Sequence, residues 1–249
     1  MNGEWLAGLI AAFARGLTGV TVQWMNCQPS ARQRVYFANH TSHLDFVVLW
    51  SVLPRELRAL VRPVAAQDYW NSGLRKYLAV NVFHAVLIER RARPSTSKPA
   101  GKPDSVQHQS VEQAPLQQSA SIEQSAIEPT RIERAPGEHS LIEQALDNLL
   151  EALGEKNSLI IFPEGTRGTG EVIAPFKSGI YHLWRHRPDV EFVPVYLANL
   201  NRVLPKGEFL PVPIISRVIL GPPLQLEPHE TKESFINKAH QAVCTLGEL

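Results

Sequence analysis

This 249-residue chain has only two cysteines, Cys27 and Cys244. They stand far apart and in no metal-like spacing, so the sequence supports neither a disulfide scaffold nor a zinc site. Reduced thiols fit a cytosolic compartment better than a secreted one. Charge of one sign is also lacking: 25 basic against 24 acidic residues leave a formal net charge of +1. That balance gives no reason to expect a nucleic-acid partner, and any anionic ligand has to be met by local arginines rather than by a general basic field.

A long apolar run is missing near the N-terminus. Trp5 to Ala14 is apolar but bounded by Glu4 and Arg15, well short of the roughly 20 residues that span a bilayer. The opening Met-Asn-Gly-Glu has no basic start of the secretory kind. Two readings of residues 1–20 stay open: a helix packed on the core, or an amphipathic helix in a membrane interface with Trp5 and Phe13 inserted.

Aromatic residues are absent between 92 and 139, a stretch rich in Ser, Gln, Pro and Glu. Such a segment cannot bury enough apolar surface to offset the entropy of ordering it. Degenerate echoes recur in it, as in Val111-Glu112-Gln113 and Ile122-Glu123-Gln124. They are too irregular and proline-broken for a solenoid. The expectation is a disordered insertion within a single domain spanning 1–249.

The flanks carry the fold. Arg34 to Ala38 reads as a buried strand, Asp45 to Leu53 as a helix stopped by Pro54, and Leu60 to Ala66 and Ala85 to Ile88 as strands around a helix at 70–77. Ser140 with Glu143 forms a capping-box start and Gly154 a stop. Strands at 159–162, 190–197 and 216–220, the last at a sheet edge, alternate with helices at 178–187 and 231–246. This pattern predicts an α/β layered domain with a mostly parallel central sheet flanked by helices, whose ligands sit beyond the carboxyl ends of the strands.

Two unusual segments fall at strand ends. In Asn39-His40-Thr41-Ser42-His43-Leu44-Asp45, residues five apart would lie about 140° apart on one helix. With His40 in the preceding loop and Asp45 in the first turn, however, the carboxylate can reach back and hold the imidazole, leaving its other nitrogen to take a proton. The alternative is a simple cap built from Ser42 and Asp45, and His43 is a second candidate base. In Phe162-Pro163-Glu164-Gly165-Thr166-Arg167-Gly168 the glycines permit close approach to the main chain. Arg167 offers a fork of donors suited to phosphate; the alternative is a polar turn with a Glu–Arg surface pair. A strand running into Glu89-Arg90-Arg91 adds Arg90 as a second phosphate donor or as a bland charged strand end. Val193-Pro194-Val195 reads as a shaped strand near a pocket or an edge strand.

In this order, NHTSHLD at 39–45, VLIERR at 86–91, FPEGTRG at 162–168 and VPV at 193–195 resemble the blocks of the glycerolipid acyltransferase family, of lysophosphatidic acid acyltransferase type. Phe176-Lys177-Ser178-Gly179 resembles the segment after the third block. Glu89 departs from the commoner aspartate of the second block. The resemblance implies His40 as general base and Asp45 as its orienting acid. It implies Arg90, Glu164, Gly165, Thr166 and Arg167 as acceptor-binding residues, with Glu164 either ordering its loop or touching acceptor hydroxyls. No metal or cofactor is implied; acyl-CoA or acyl-carrier protein serves as co-substrate. The implied acceptor is lysophosphatidic acid or a related lysolipid, met peripherally at the cytoplasmic face of a membrane surface. Other acceptors (lysophospholipid, lyso-ornithine lipid, glycerol-3-phosphate), a catalytically silent lipid-binding role and thioester hydrolysis are the competing readings.

Overall fold

The structure, a computed structural model, describes residues 3–70, 73–88, 136–203, 212 and 214–249. Its elements are α1 (Gly3–Thr18), β1 (Thr21–Trp24), β2 (Arg34–Ala38), α2 (Asp45–Val52), α3 (Arg55–Arg58), β3 (Val61–Ala66), α4 (Gln67–Trp70), α5 (Gly73–Asn81) and β4 (Val86–Ile88). After them come α6 (Pro136–Leu153), β5 (Ser158–Ile161), α7 (Gly179–His186), β6 (Glu191–Ala198), α8 (Leu200–Val203), β7 (Arg217–Leu220) and α9 (Lys232–Gly247).

The strands form one seven-stranded sheet in the order β1-β7-β6-β2-β5-β3-β4. Strands β4, β3, β5, β2 and β6 run parallel, β7 turns antiparallel to β6, and β1 runs parallel to β7. The α/β class with a mostly parallel sheet is therefore as expected. β2 occupies the middle of this sheet, and all five of its residues are buried.

Period-two alternation along the central strands builds the two faces of the core. Tyr36, Ala38, Ile160, Val193 and Val195 point to one face, where Ala11 of α1, Val48, Leu49 and Trp50 of α2 and Phe83 cover them. Val35, Phe37, Leu159, Ile161 and Phe192 point to the other, beneath Leu153 of α6, Leu183 and Trp184 of α7 and Phe235 and Val243 of α9. Covered on both faces, these strands read as continuous apolar runs rather than as alternating ones.

Three boundaries differ from the sequence reading. β7 lies inside the sheet rather than at its edge, because the unanticipated β1 pairs beyond it. The expected helix at 70–77 is instead two pieces, α4 and α5. α6 begins at Pro136, where proline suits a first helical turn whose N–H would have no partner anyway, so the last four residues of the expected insertion belong to a helix. Gly154 closes that helix as expected, at φ +47°, its N–H donating to Leu150 O over 2.9 Å. The rest of the insertion, 92–135, lies outside the described residues.

Phe235 is fully buried, stacked on Trp184 at 5.2 Å and edge-on to Phe192 at 6.0 Å. Phe235→Ala should therefore cost about 3–5 kcal/mol of folding free energy, read from the midpoint of urea denaturation. A loss well below about 1 kcal/mol would mean that this face of the core does not depend on the aromatic cluster.

Candidate active site

The parallel strands deliver two loops to the carboxyl end of the sheet. One leaves β2 at Ala38 and enters α2 at Asp45; the other leaves β5 at Ile161 and carries Phe162 to Gly168. Because β2 and β5 are neighbours in the sheet, segments more than a hundred residues apart in sequence meet there.

His40 and Asp45 are brought together in the arrangement read from the sequence. His40 Nδ1 lies 2.8 Å from Asp45 Oδ2. Asp45 is fully buried and His40 about one-sixth exposed at its side chain. Facing an acceptor-only carboxylate oxygen, Nδ1 is assigned the proton, which leaves Nε2 unprotonated. Among the described residues Nε2 has no hydrogen-bond partner. The same Oδ2 also accepts from the amides of Thr41 (2.6 Å) and Ser42 (2.9 Å). One carboxylate thus orients the imidazole and shapes the turn around it. The expected Ser42 cap is not formed: α2 is capped at Leu44 with no side-chain hydrogen bond, and the Ser42 hydroxyl oxygen accepts from Leu44 N at 3.3 Å within the turn before the helix.

His40 is fixed by more than its ring. Its amide donates to Glu164 Oε1 at 2.6 Å, and its carbonyl accepts from Gly168 N at 2.8 Å. Its ring stacks on Phe162 with centroids 4.3 Å apart and planes 22° from parallel. Both main-chain groups of the histidine and one face of its ring are therefore held by the second loop. Just before it, Asn39 is 4% exposed and bridges to β6, donating to Leu197 O (3.0 Å) and accepting from Leu197 N (2.8 Å).

Glu164 is 4% exposed, and both of its oxygens are engaged by main-chain amides: Oε1 by His40, Oε2 by Ala174 at 2.9 Å. Burial pushes its carboxyl above the usual range, opposed by those two amides. Of the two roles the sequence left open for Glu164, this geometry is that of a strut between loops. Gly165 takes φ +72°, and a Cβ there would lie 2.5 Å from Lys177 Nζ. The end of the lysine side chain lies over the glycine and would have to move for a Cβ, while the positive φ strains any L side chain there. Lys177 N also donates to Pro163 O at 2.9 Å.

Arg167 is half-buried, Thr166 is exposed, and neither Arg167 nor Lys177 forms an ion pair with a described residue. Two cationic side chains thus share the loop that holds His40. Arg90, the remaining site residue read from the sequence, lies outside the described residues, as does Glu89. Sequence reasoning gave no role to Phe162, Asn39 or Lys177, although the first two stand inside the motif blocks and Lys177 in the segment after the third. Their neighbours in space come from other blocks, which the linear pattern does not reveal.

Comparison with known proteins bears on the fold and on the family. The chain superposes on the crystal structure of the 1-acyl-sn-glycerophosphate (LPA) acyltransferase PlsC from Thermotoga maritima with a TM-score of 0.61 at 15% identity, over 99% of this chain and 80% of that one. Two 1-acyl-sn-glycerol-3-phosphate acyltransferases, from Limnanthes douglasii and Limnanthes alba, are each 37% identical to it over 89 residues. Those matches cover 34% of this chain and only 30% of each plant protein. A family model described as Acyltransferase matches residues 19–198, which include both loops of the site and most of the sheet. The chain belongs to the Acyltransferase family.

Proposed function

We propose that this protein moves a fatty acyl group from an acyl thioester, acyl-CoA or acyl-carrier protein, to the free hydroxyl of lysophosphatidic acid or a closely related lysolipid in phospholipid biosynthesis. The observation that carries this reading is the 2.8 Å contact between His40 Nδ1 and Asp45 Oδ2, with Nε2 left unpaired. Nε2 accepts the hydroxyl proton as the oxygen attacks the thioester carbonyl. The tetrahedral adduct then collapses, the carbon–sulfur bond breaks, and the imidazolium returns the proton to the departing thiolate. The products are an ester and a free thiol, and the histidine ends as it began. A thioester is already activated, so no serine or cysteine intermediate is needed. General-base help of this kind is worth about 10²–10⁴-fold, and positioning of the acceptor supplies much of the rest.

Arg167, Lys177 and the main chain from Gly165 to Thr166 are the groups assigned to the acceptor phosphate, with Arg90 as a further donor. Glu164 acts through His40 and its loop rather than on substrate. The wider context is a membrane surface. Trp5, Leu9 and Phe13 recur every four residues on α1 and are 77%, 60% and 70% exposed, while Ala11 on the opposite face is fully buried against the core. One face of α1 packs on the core, as the first reading of this segment has it, and the exposed face supports the interface reading. Among the described residues no helix is long and apolar enough to cross a membrane. The role that fits is peripheral, at the cytoplasmic face.

A transfer assay with purified protein, labelled acyl-CoA or acyl-carrier protein, and lysophosphatidic acid should yield phosphatidic acid. His40→Ala should reduce kcat by about 10²–10⁴-fold. Asp45→Asn should lose a comparable factor, since it disturbs the tautomer held at Nδ1. Arg167→Ala and Lys177→Met should instead raise KM for the acceptor while kcat changes little. Release of free fatty acid without an acylated acceptor would replace transfer with hydrolysis, and a silent parent enzyme across all the acceptors would end the catalytic reading.

Glu164→Gln tests the strut. The replacement amide has one acceptor oxygen for two main-chain donors, so one buried N–H loses its partner at a cost of about 1–3 kcal/mol. Denaturation should show that loss, with a fall in kcat at unchanged acceptor KM. A selective rise in KM would instead assign Glu164 to the substrate.

A further inference from the structure

Helix α5 is divided in the same way as α1. Its Ala79 is buried, and Val82 and Phe83 just beyond it belong to the core on the side of the sheet that α1 covers. Tyr77 and Val80 turn outward, 51% and 47% exposed. Tyr77, Val80 and Asn81 stand three and four residues apart and so share one face of the helix. Asn81 Nδ2 donates to Tyr77 O at 3.1 Å.

That face borders α1. Asn81 lines a groove of about 680 Å³ whose other side is formed by Trp5, Gly8 and Leu9 of α1. The outward faces of the two helices are therefore the two banks of one groove. Trp5 and Leu9, continued by Phe13, stand on one bank, and Tyr77 and Val80 on the other. Large apolar side chains gathered on both banks mark an interaction surface.

The charge of this surface narrows what can cover it. Residues 5–18 and α5 contain no acid, and among the described residues none lines the groove. Lys76, next to Tyr77, is exposed and forms no ion pair with a described residue. Arg58, at the end of the groove, already donates to the carbonyls of Ser51 (3.2 Å) and Leu53 (3.3 Å) and stands over the Trp50 ring. An apolar layer can thus close over the groove without trapping a carboxylate.

We propose that α5 is a second membrane-insertion element, and that a bilayer surface covers the groove between it and α1. Tyr77 and Val80 enter the boundary between headgroups and acyl chains, where an aromatic ring with a polar tip is favoured. Lys76 lays its stem along that boundary and reaches its ammonium to the phosphates. A second copy of the chain is the poorer occupant. Meeting like face to like face, it would bring basic residues together with no acid in either surface to pair them. The proposal rests on the membrane reading of α1 given above and adds an orientation to it. One inserted helix lets a protein roll about the helix axis, whereas two banks fix a plane and hold the catalytic loops at a set height above it.

The experiment is flotation of the full-length protein with vesicles of equal parts phosphatidylcholine and phosphatidylglycerol. It compares the parent, the double variant Tyr77→Ser with Val80→Ser, Val80→Trp, Phe13→Ser and Val172→Ser. Val172 is 79% exposed beside α9, which covers the other face of the sheet, so its variant removes apolar surface elsewhere. The double variant should bind about tenfold more weakly than the parent, as the loss of apolar area at an interface requires, with Tm unchanged. Val80→Trp should bind more tightly, a gain that misfolding at unchanged Tm does not produce. Val172→Ser should match the parent.

Parental affinity in the double variant, with a loss in Phe13→Ser alone, would overturn the role of α5 and spare the membrane reading of α1. No vesicle binding by the parent would sink both. A parental dimer in vesicle-free solution that the double variant dissolves, read by sedimentation equilibrium, would give the groove to a second copy and overturn the proposal. Binding by Val80→Trp no tighter than the parent's would also count against it.

Discussion

The site depends on how firmly the main chain of one residue is held. His40 has its amide, its carbonyl and one ring face fastened to the loop after β5, and the residue before it is tied to β6. Each tie crosses between neighbouring strands of the parallel sheet, so the geometry of the imidazole is inherited from the strand order. Catalysis by a positioned base is sensitive to misplacements of about 1 Å. A loop held from both sides is the arrangement that limits them.

This rigidity carries a cost in buried charge. Asp45 and Glu164 are both withdrawn from water, and removing a carboxylate from solvent is expensive unless donors replace the solvent. Asp45 receives two amides and the imidazole on one oxygen, and Glu164 one amide on each. Neither is paired with an arginine or lysine among the described residues. Charged side chains that might have formed stabilising ion pairs here, Arg167 and Lys177, are left without a carboxylate among the described residues. A loop that paired its own cations would have less positive potential to offer the acceptor phosphate proposed above.

Much of this was legible in the linear pattern. The apolar run at 34–38, the reach of Asp45 back to His40 and the glycine-bounded turn after β5 follow from periodicity, spacing and turn chemistry. What escaped had no such local signal. β1 is short, with three of its four residues exposed, and it exists because its backbone pairs with β7, nearly two hundred residues away. Missing it made an interior strand look like an edge. Proline at the start of α6 read as part of a polar, proline-rich stretch rather than as a helix start. The roles of Asn39 and Phe162 depend on partners across the sheet, and Lys177 is understood only once the main chain at Gly165 is seen to pass beneath it.

Helix α2 links two ends of the molecule. Its first residue is the carboxylate that orients the His40 ring, and its last turn is gripped by Arg15 of α1 and by Arg58. Eight residues of helix make a strut roughly 12 Å long, stiffened by a core in which Val48, Leu49 and Trp50 are buried. The N-terminal helix and the His40–Asp45 pair are thus anchored to opposite ends of the same short, buried helix.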